Sequence, residues 1–278
     1  MNVKRRDFLK IAGVSAIAGI GIPSALNMLL KGEAKATAEA EHQAAPAAHG
    51  GGHEAASTAV QLGMVINVKK FGEIKGLAEK CIEACHTTHN VPEFNNPKDA
   101  VKWVWIEDFE HLFTQQNRFA EHNALPFLTL CNHCANPPCV RACPTQATFK
   151  APNGNVIMDY HRCIGCRFCM AACPYGARSF NWRDPREKDA GGNLKFIKKL
   201  NLDYPTRMRG VVEKCNFCAE RVDKNLPPAC VEACGDTKAL IFGNLNDSNS
   251  EIAQVLKTTF TSQRKQELGT KPSLFYII

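Results

Sequence analysis

The chain has 278 residues, 45% hydrophobic and 22% charged, a balance that excludes disordered and fibrous classes. Its net charge of +7 suggests a nucleic-acid partner until it is mapped: residues 1–38 hold six basic and two acidic side chains, and the remainder has 28 basic against 25 acidic. That surplus is too small to argue for a polyanion, so the feature to explain is the fourteen cysteines.

Lys4, Arg5 and Arg6 precede "DFLK" and a charge-free run, "IAGVSAIAGIGIPSALNMLL", with the small-residue site "ATA" following at 36–38. This is the layout of a signal peptide over residues 1–38. The paired arginines resemble the twin-arginine signal, which exports proteins already folded around a cofactor. The run is also just long enough to remain in a bilayer as an anchor. A periplasmic or extracytoplasmic position at the membrane is therefore expected, with the signal either cleaved or retained. Residues 39–60 are rich in Ala, Gly and His and read as a flexible linker, and His42, His49 and His53 read as solvated linker residues.

Cysteines then come in four groups. "CIEAC" supplies Cys81 and Cys85; "CNHCANPPCVRACP" supplies Cys131, Cys134, Cys139 and Cys143; "CIGCRFCMAACP" supplies Cys163, Cys166, Cys169 and Cys173; "CNFC" and "CVEAC" supply Cys215, Cys218, Cys230 and Cys234. The third group is C-x2-C-x2-C-x3-C-P, the run that ligates cubane iron–sulfur clusters. Its short spacings wrap three corners of one cluster, and the fourth thiolate reaches a neighbouring cluster, so such groups work in pairs. The C-x2-C pair of the last group could alone build a zinc site, and an exported chain could use disulfides. Four cysteines in a short span before Pro exceed what a zinc ribbon needs, and folding before export places assembly in a reducing compartment. "CIEACH" is one residue too long for C-x-x-C-H haem attachment, which leaves His86 and His89 as polar residues beside a cluster loop.

Between the second and third groups, "ATFKAPNGNVIMDYHRC" predicts a hairpin around Asn153-Gly154. Trp103 and Trp105 alternate as strand residues and read as core. "NSEIAQVLKTTF" predicts a capped helix that packs through Ile252, Val255 and Leu256. Residues 178–210 hold nine Lys/Arg and read either as a docking patch or as a solvated loop. No G-x-G-x-x-G after a strand and no G-x-S-x-G nucleophile motif appears, so a non-catalytic role is expected.

Taken together, "CNHCANPPCVRACPTQATF", "CIGCRFCMAACPYGARSFNWRDP" and "GVVEKCNFCAERVDKNLPPACVEACG" resemble the four-cluster ferredoxin-like electron-transfer subunits of complex iron–sulfur molybdoenzymes and NrfD-type membrane complexes. "YGARSFNWRDP" and "YPTRMRGVVEKCNFC" are most similar to the DsrO group, the periplasmic iron–sulfur subunits of DsrMKJOP complexes. The resemblance covers residues 61–278 and implies an α+β fold of tandem bacterial-ferredoxin-like modules, the inner one (about 126–185) inserted in an outer one built from the flanking segments. It also implies the ligand sets: Cys131, Cys134, Cys139 and Cys173 for cluster one; Cys163, Cys166, Cys169 and Cys143 for cluster two; Cys215, Cys218, Cys230 and Cys85 for cluster three.

Against the family's opening motif, Cys81 and Cys85 hold the third and fourth cysteine places, and Lys75 and Ala78 occupy the first two. The fourth cluster is then expected to be absent, giving three [4Fe-4S] clusters and leaving Cys81 and Cys234 unligated beside its site. A disulfide between them would need a Cα separation of about 4.4–6.8 Å. The implied function is electron transfer between a quinone-interacting NrfD-type integral membrane subunit and a multihaem cytochrome c in respiratory sulfur metabolism. The alternative is the electron-transfer subunit of a molybdopterin enzyme such as tetrathionate or polysulfide reductase. A zinc-stabilised binding module and a free soluble ferredoxin are the rivals outside that class.

Overall fold

The computed structural model describes residues 60–113 and 125–278. The signal peptide and all but the last residue of the linker, which the sequence places in 1–60, lie outside the described residues.

Strand β1 (Leu62–Asn67) reads LGMVIN and is buried along nearly its whole length, as a strand covered on both faces should be. Met64 and Ile66 enter the main core, whereas Val65 packs with Ile241 and Ile252 on the other side. Asn67 ends the strand and caps helix α1 (Val68–Glu73), its side chain accepting from the Lys70 amide at 3.4 Å. Gly76, at φ +79°, supplies the left-handed turn into helix α2 (Leu77–His89). Leu77, Ala78, Cys81, Cys85 and His89 are its buried residues, a stripe at helical spacing. Asn90, at φ 51°, ends it.

The opening cysteine segment is thus a helix and not the loop the family motif suggests. Three intervening residues place Cys81 and Cys85 one turn apart on one face, and Lys75 and Ala78 offer no thiol to hold a loop around a cluster.

Strand β2 (Val104–Glu107), helix α3 (Phe109–Leu112) and strand β3 (Phe127–Leu130) follow, with β2 and β3 antiparallel in the register Val104 opposite Leu130. Trp103 is fully buried in the main core, as its alternation with Trp105 predicts, and Trp105 is half-buried at its edge. Short helix α4 (Pro138–Arg141) lies within the second cysteine group and α5 (Phe168–Ala171) within the third. Between them the expected hairpin is present: β4 (Thr148–Lys150) pairs with β5 (Val156–Met158), Thr148 opposite Met158. Ala151 closes the turn by donating to Asn155 O and accepting from the Gly154 amide, and Gly154 has φ +82°. Pro-Asn-Gly therefore forms a three-residue loop ending in a left-handed glycine.

Strands β6 (Ser179–Phe180) and β7 (Val212–Glu213) then bring the end of the third group beside the start of the last. Helices α6 (Ala219–Val222) and α7 (Ala229–Cys234) carry that last group, and strand β8 (Leu240–Asn244) pairs antiparallel with β1. Helix α8 (Glu251–Thr258) starts at Ser250, whose hydroxyl accepts from the Ala253 amide at 3.2 Å, and it packs Ile252 under β1 and β8. Strand β9 (Leu274–Ile277) joins β1 in parallel, completing the order β8-β1-β9. Small helices and short strands make an α+β architecture among the described residues. Among the described residues, no helix is long and apolar enough to cross a membrane.

Candidate iron–sulfur sites

Cys131, Cys134, Cys139 and Cys173 line one cavity, with Pro137, Pro174 and Arg178. Cys143, Cys163, Cys166 and Cys169 line a second. In both, one cysteine comes from the other group of the pair, so neither group completes a set of four alone. Cys85 of α2 joins Cys215, Cys218 and Cys230, whose charges act on it directly. Cys81 Sγ lies 3.0 Å from Cys234 Sγ.

The backbone bends sharply to present these thiols. His133, Arg167, Phe217 and Cys218 are non-glycine residues at φ between 41° and 64°, each within or beside a C-x2-C step. Such conformations cost about 1–3 kcal/mol each and persist where the surroundings impose them, commonly at functional sites. In the first group and the CVEAC half of the last the presentation differs: Cys81 and Cys85 on α2 face Cys234 and Cys230 on α7, so two helices oppose i,i+4 cysteine pairs.

The electrostatics suit an anionic, thiolate-ligated group. Burial pushes the Cys134 thiol up to about 12, and neighbouring thiols add to the effect. Cys85 and Cys230 are raised well above the ordinary thiol range, first by burial and then by the other cysteines of their set. Without a metal, Cys85, Cys134 and Cys230 keep their protons, and ligation must displace them. Cations stand ready beside two of the sets. Arg178 is buried at the first cavity, where burial works against its charge while Cys139 and Cys169 favour it; its Nη2 has no hydrogen-bond partner among the described residues. Lys214 is also buried and donates to Cys215 O at 2.7 Å. Four converging thiols and a buried cation fit a metal–thiolate centre, since an unpaired buried cation would be costly otherwise.

Sequence reasoning missed the packing behind the third set. His89 is buried on α2: its Nδ1 lies 2.9 Å from Cys85 O and its Nε2 2.9 Å from Glu220, and its ring stacks on Trp103 at 4.6 Å. It is a built-in residue, not a polar neighbour of a loop, and its i+4 spacing from Cys85 was the available signal. Burial disfavours the charged His89, but bonds to Cys218 and Glu220 outweigh it and raise the imidazole to about 9. Trp103 Nε1 donates to Glu213 at 2.9 Å, and Arg207 pairs with the same carboxylate at 2.7 Å in full burial. Arg178 and Arg207 therefore leave the basic run of 178–210 without two of its surface charges. His133, between Cys131 and Cys134, stacks on Phe217, between Cys215 and Cys218, with centroids 3.7 Å apart, so the loops of two sets touch through aromatic faces.

Known proteins share this construction. Residues 123–190 and 162–237 each match a 4Fe-4S dicluster domain. The chain is 43% identical over 217 residues to the Hdr-like menaquinol oxidoreductase iron–sulfur subunit 1 of Archaeoglobus fulgidus, covering 75% of this chain and 76% of that one. It is 36% identical over 241 residues to the arsenate respiratory reductase iron–sulfur subunit ArrB of Shewanella sp. (strain ANA-3), covering 78% and 96%. It is 32% identical over 240 residues to the menaquinone reductase iron–sulfur cluster-binding subunit of Nitratidesulfovibrio vulgaris, covering 78% and 89%. With its cysteine sets and these relatives, the chain belongs to the family of ferredoxin-like iron–sulfur electron-transfer subunits built on 4Fe-4S dicluster domains.

Proposed function

We propose that the chain is an extracytoplasmic electron relay with three [4Fe-4S] clusters, held by Cys131, Cys134, Cys139 and Cys173; by Cys143, Cys163, Cys166 and Cys169; and by Cys85, Cys215, Cys218 and Cys230. The observation that carries this reading is the succession of the sets. The first and second sets each take one cysteine from the other's group, and the loops of the first and third touch through His133 and Phe217, with centroids 3.7 Å apart. When bound, each cluster takes up and releases one electron, with a potential set by burial, charge and hydrogen bonds to sulfur.

The residues divide the work. Arg178 and Lys214 offset thiolate charge, and His133 against Phe217 closes the boundary between the first and third sets. Ile164 and Phe168, on the loop of the second set, are 68% and 60% exposed. They form an apolar rim where a partner's cofactor can approach without crossing the protein core.

The partner reading follows the DsrO-like text of the sequence: an NrfD-type quinone-interacting membrane subunit on one side and a multihaem cytochrome c on the other, in a DsrMKJOP-like complex. A relative named for menaquinol oxidation supports the quinone side. A second reading, supported by a relative named for arsenate respiration, replaces the cytochrome with a molybdopterin catalytic subunit. Export by the twin-arginine route belongs to the same proposal. Purification from detergent-solubilised membranes, with haem staining and molybdenum analysis of the co-purifying chains, separates the two. The first expects a haem-positive partner without molybdenum, the second the reverse, and recovery of the chain alone and colourless would defeat both.

A further inference from the structure

Twelve of the fourteen cysteines are absorbed by the three sets, and the other two meet each other. We propose that Cys81 and Cys234 are a closable dithiol, forming a disulfide staple between α2 and α7 where the family pattern would place a fourth cluster. The proposal goes beyond the electron-transfer reading and uses from it only the assignment of the other cysteines.

The geometry supports it from several directions. The sulfurs are 3.0 Å apart although the residues are 153 positions apart in the chain, so closing to a bond of about 2.0 Å needs a movement of only about 1 Å. Both thiols are buried, at 0% and 3% exposure, in a core that also contains Leu77, Ala78, Ala239 and Leu240. No third His, Cys, Asp or Glu among the described residues comes within single-ion range of the pair. Each sulfur projects from a helix anchored by its own apolar contacts, so their proximity is held without a metal.

Closure removes one hydrogen from each thiol. The S–S bond of a low-molecular-weight disulfide breaks as the Cys81–Cys234 bond forms, and both protons end on the two thiols released from that oxidant. The product joins the helices that also carry Cys85 and Cys230, and it fixes the spacing of two donors to the third set. An oxidising compartment would close the staple after the clusters are in place.

The test uses the intact iron-loaded protein. It is equilibrated anaerobically in oxidised glutathione or in dithiothreitol, denatured in acid with excess maleimide, and mapped by mass spectrometry. The expected result in oxidised glutathione is loss of both Cys81 and Cys234 from the alkylated pool and appearance of one linked peptide, reversed by dithiothreitol, with the visible cluster absorption unchanged. Full alkylation of both thiols in both buffers would overturn the proposal. The Cys81→Ser variant should leave Cys234 alkylated in both buffers and the iron content unchanged; loss of iron would show that Cys81 is a ligand and would equally overturn it. Iron-free wild-type protein would instead count against the electron-transfer reading, since the linked peptide is scored independently of iron.

Discussion

The two inner cysteine groups and the facing helices α2 and α7 present thiols in opposite ways. The inner groups use loops bent through left-handed residues, with four-residue helices α4 and α5 and a three-by-three hairpin as their only regular structure. Their own buried apolar cluster is Ala147, Val156, Met158 and Val212 with Cys139 and Cys169, edged by half-buried Val140, Tyr160, Met170 and Phe180, while Cys131 and Cys134 reach the main core. The first group and the CVEAC half of the last present thiols from helices whose positions are set by a larger core, including Leu77, Ala78, Trp103 and Leu240, while Cys215 and Cys218 keep the bent loop. Two-residue spacing makes a loop that something must fill, whereas three-residue spacing makes a helix face that packs by itself only where flanking residues extend the helix, as in α2 and not in the four-residue α4 and α5. Local stability should follow that division, because apolar burial contributes roughly 25 cal/mol per Å² and the inner region has little of it.

Iron removal is the strongest way to break the comparison. Anaerobic chelation of the loaded protein should abolish amide protection across Thr148–Lys150 and Val156–Met158, while Leu62–Asn67 and Leu240–Asn244 remain protected. Hydrogen exchange read by mass spectrometry decides it. Equal loss in both regions would mean that the outer core is not self-sufficient.

Single cysteine variants come next in size. Loaded protein should contain about twelve irons, four per cluster. Cys85→Ala should lose about four of them, and Cys81→Ala, one helical turn away on the same face, should lose none. A count near sixteen in the parent protein, or iron loss in Cys81→Ala, would contradict the three-set assignment.

A third perturbation tests the outer core without touching a cysteine. Glu213 accepts from Trp103 at 2.9 Å and pairs with Arg207 at 2.7 Å. Arg207 also donates to Asn90 O at 2.9 Å and lies over the Trp103 ring at 5.3 Å. Removing one partner leaves an uncompensated buried charge, so Arg207→Met should cost about 3–5 kcal/mol, measured by denaturant unfolding at constant iron content. A change within error would show that solvent reaches the pair.

Why some of this was legible and some not follows from range. The three late cysteine groups, the prolines that trail the second and third, and the Pro-Asn-Gly hairpin are local patterns, and each is visible within twenty residues. The capped helix after Ser250 is likewise local. The burial of Arg207 was hidden because it depends on Trp103 and the Asn90 carbonyl, both far upstream; within the run of 178–210 it looks like any surface arginine. The parallel pairing of β1 with β9 is equally non-local. The opening segment was misread for another reason: the family motif suggested a loop, while the i,i+4 spacing of Cys81, Cys85 and His89 already described a helix face.

The smallest expected effect concerns the hairpin that separates the inner groups. Gly154 has φ +82°, and a Cβ there would come within 2.5 Å of the Gln61 side-chain amide. That amide donates to Ser273 Oγ at 2.9 Å, so any side chain at 154 must displace a flexible group and one hydrogen bond. Gly154→Ala adds the cost of holding an L residue in the left-handed region, about 1–2 kcal/mol. Asn meets the same Gln61 contact but tolerates that backbone better. Gly154→Asn should therefore be less destabilising than Gly154→Ala by roughly 0.5–1 kcal/mol, a difference that isolates the backbone from the collision. Both variants should keep their iron, because the turn lies outside the cysteine sets. If the two unfold at the same denaturant concentration, the contact with Gln61 dominates, and the turn's left-handed residue is not what sets the hairpin.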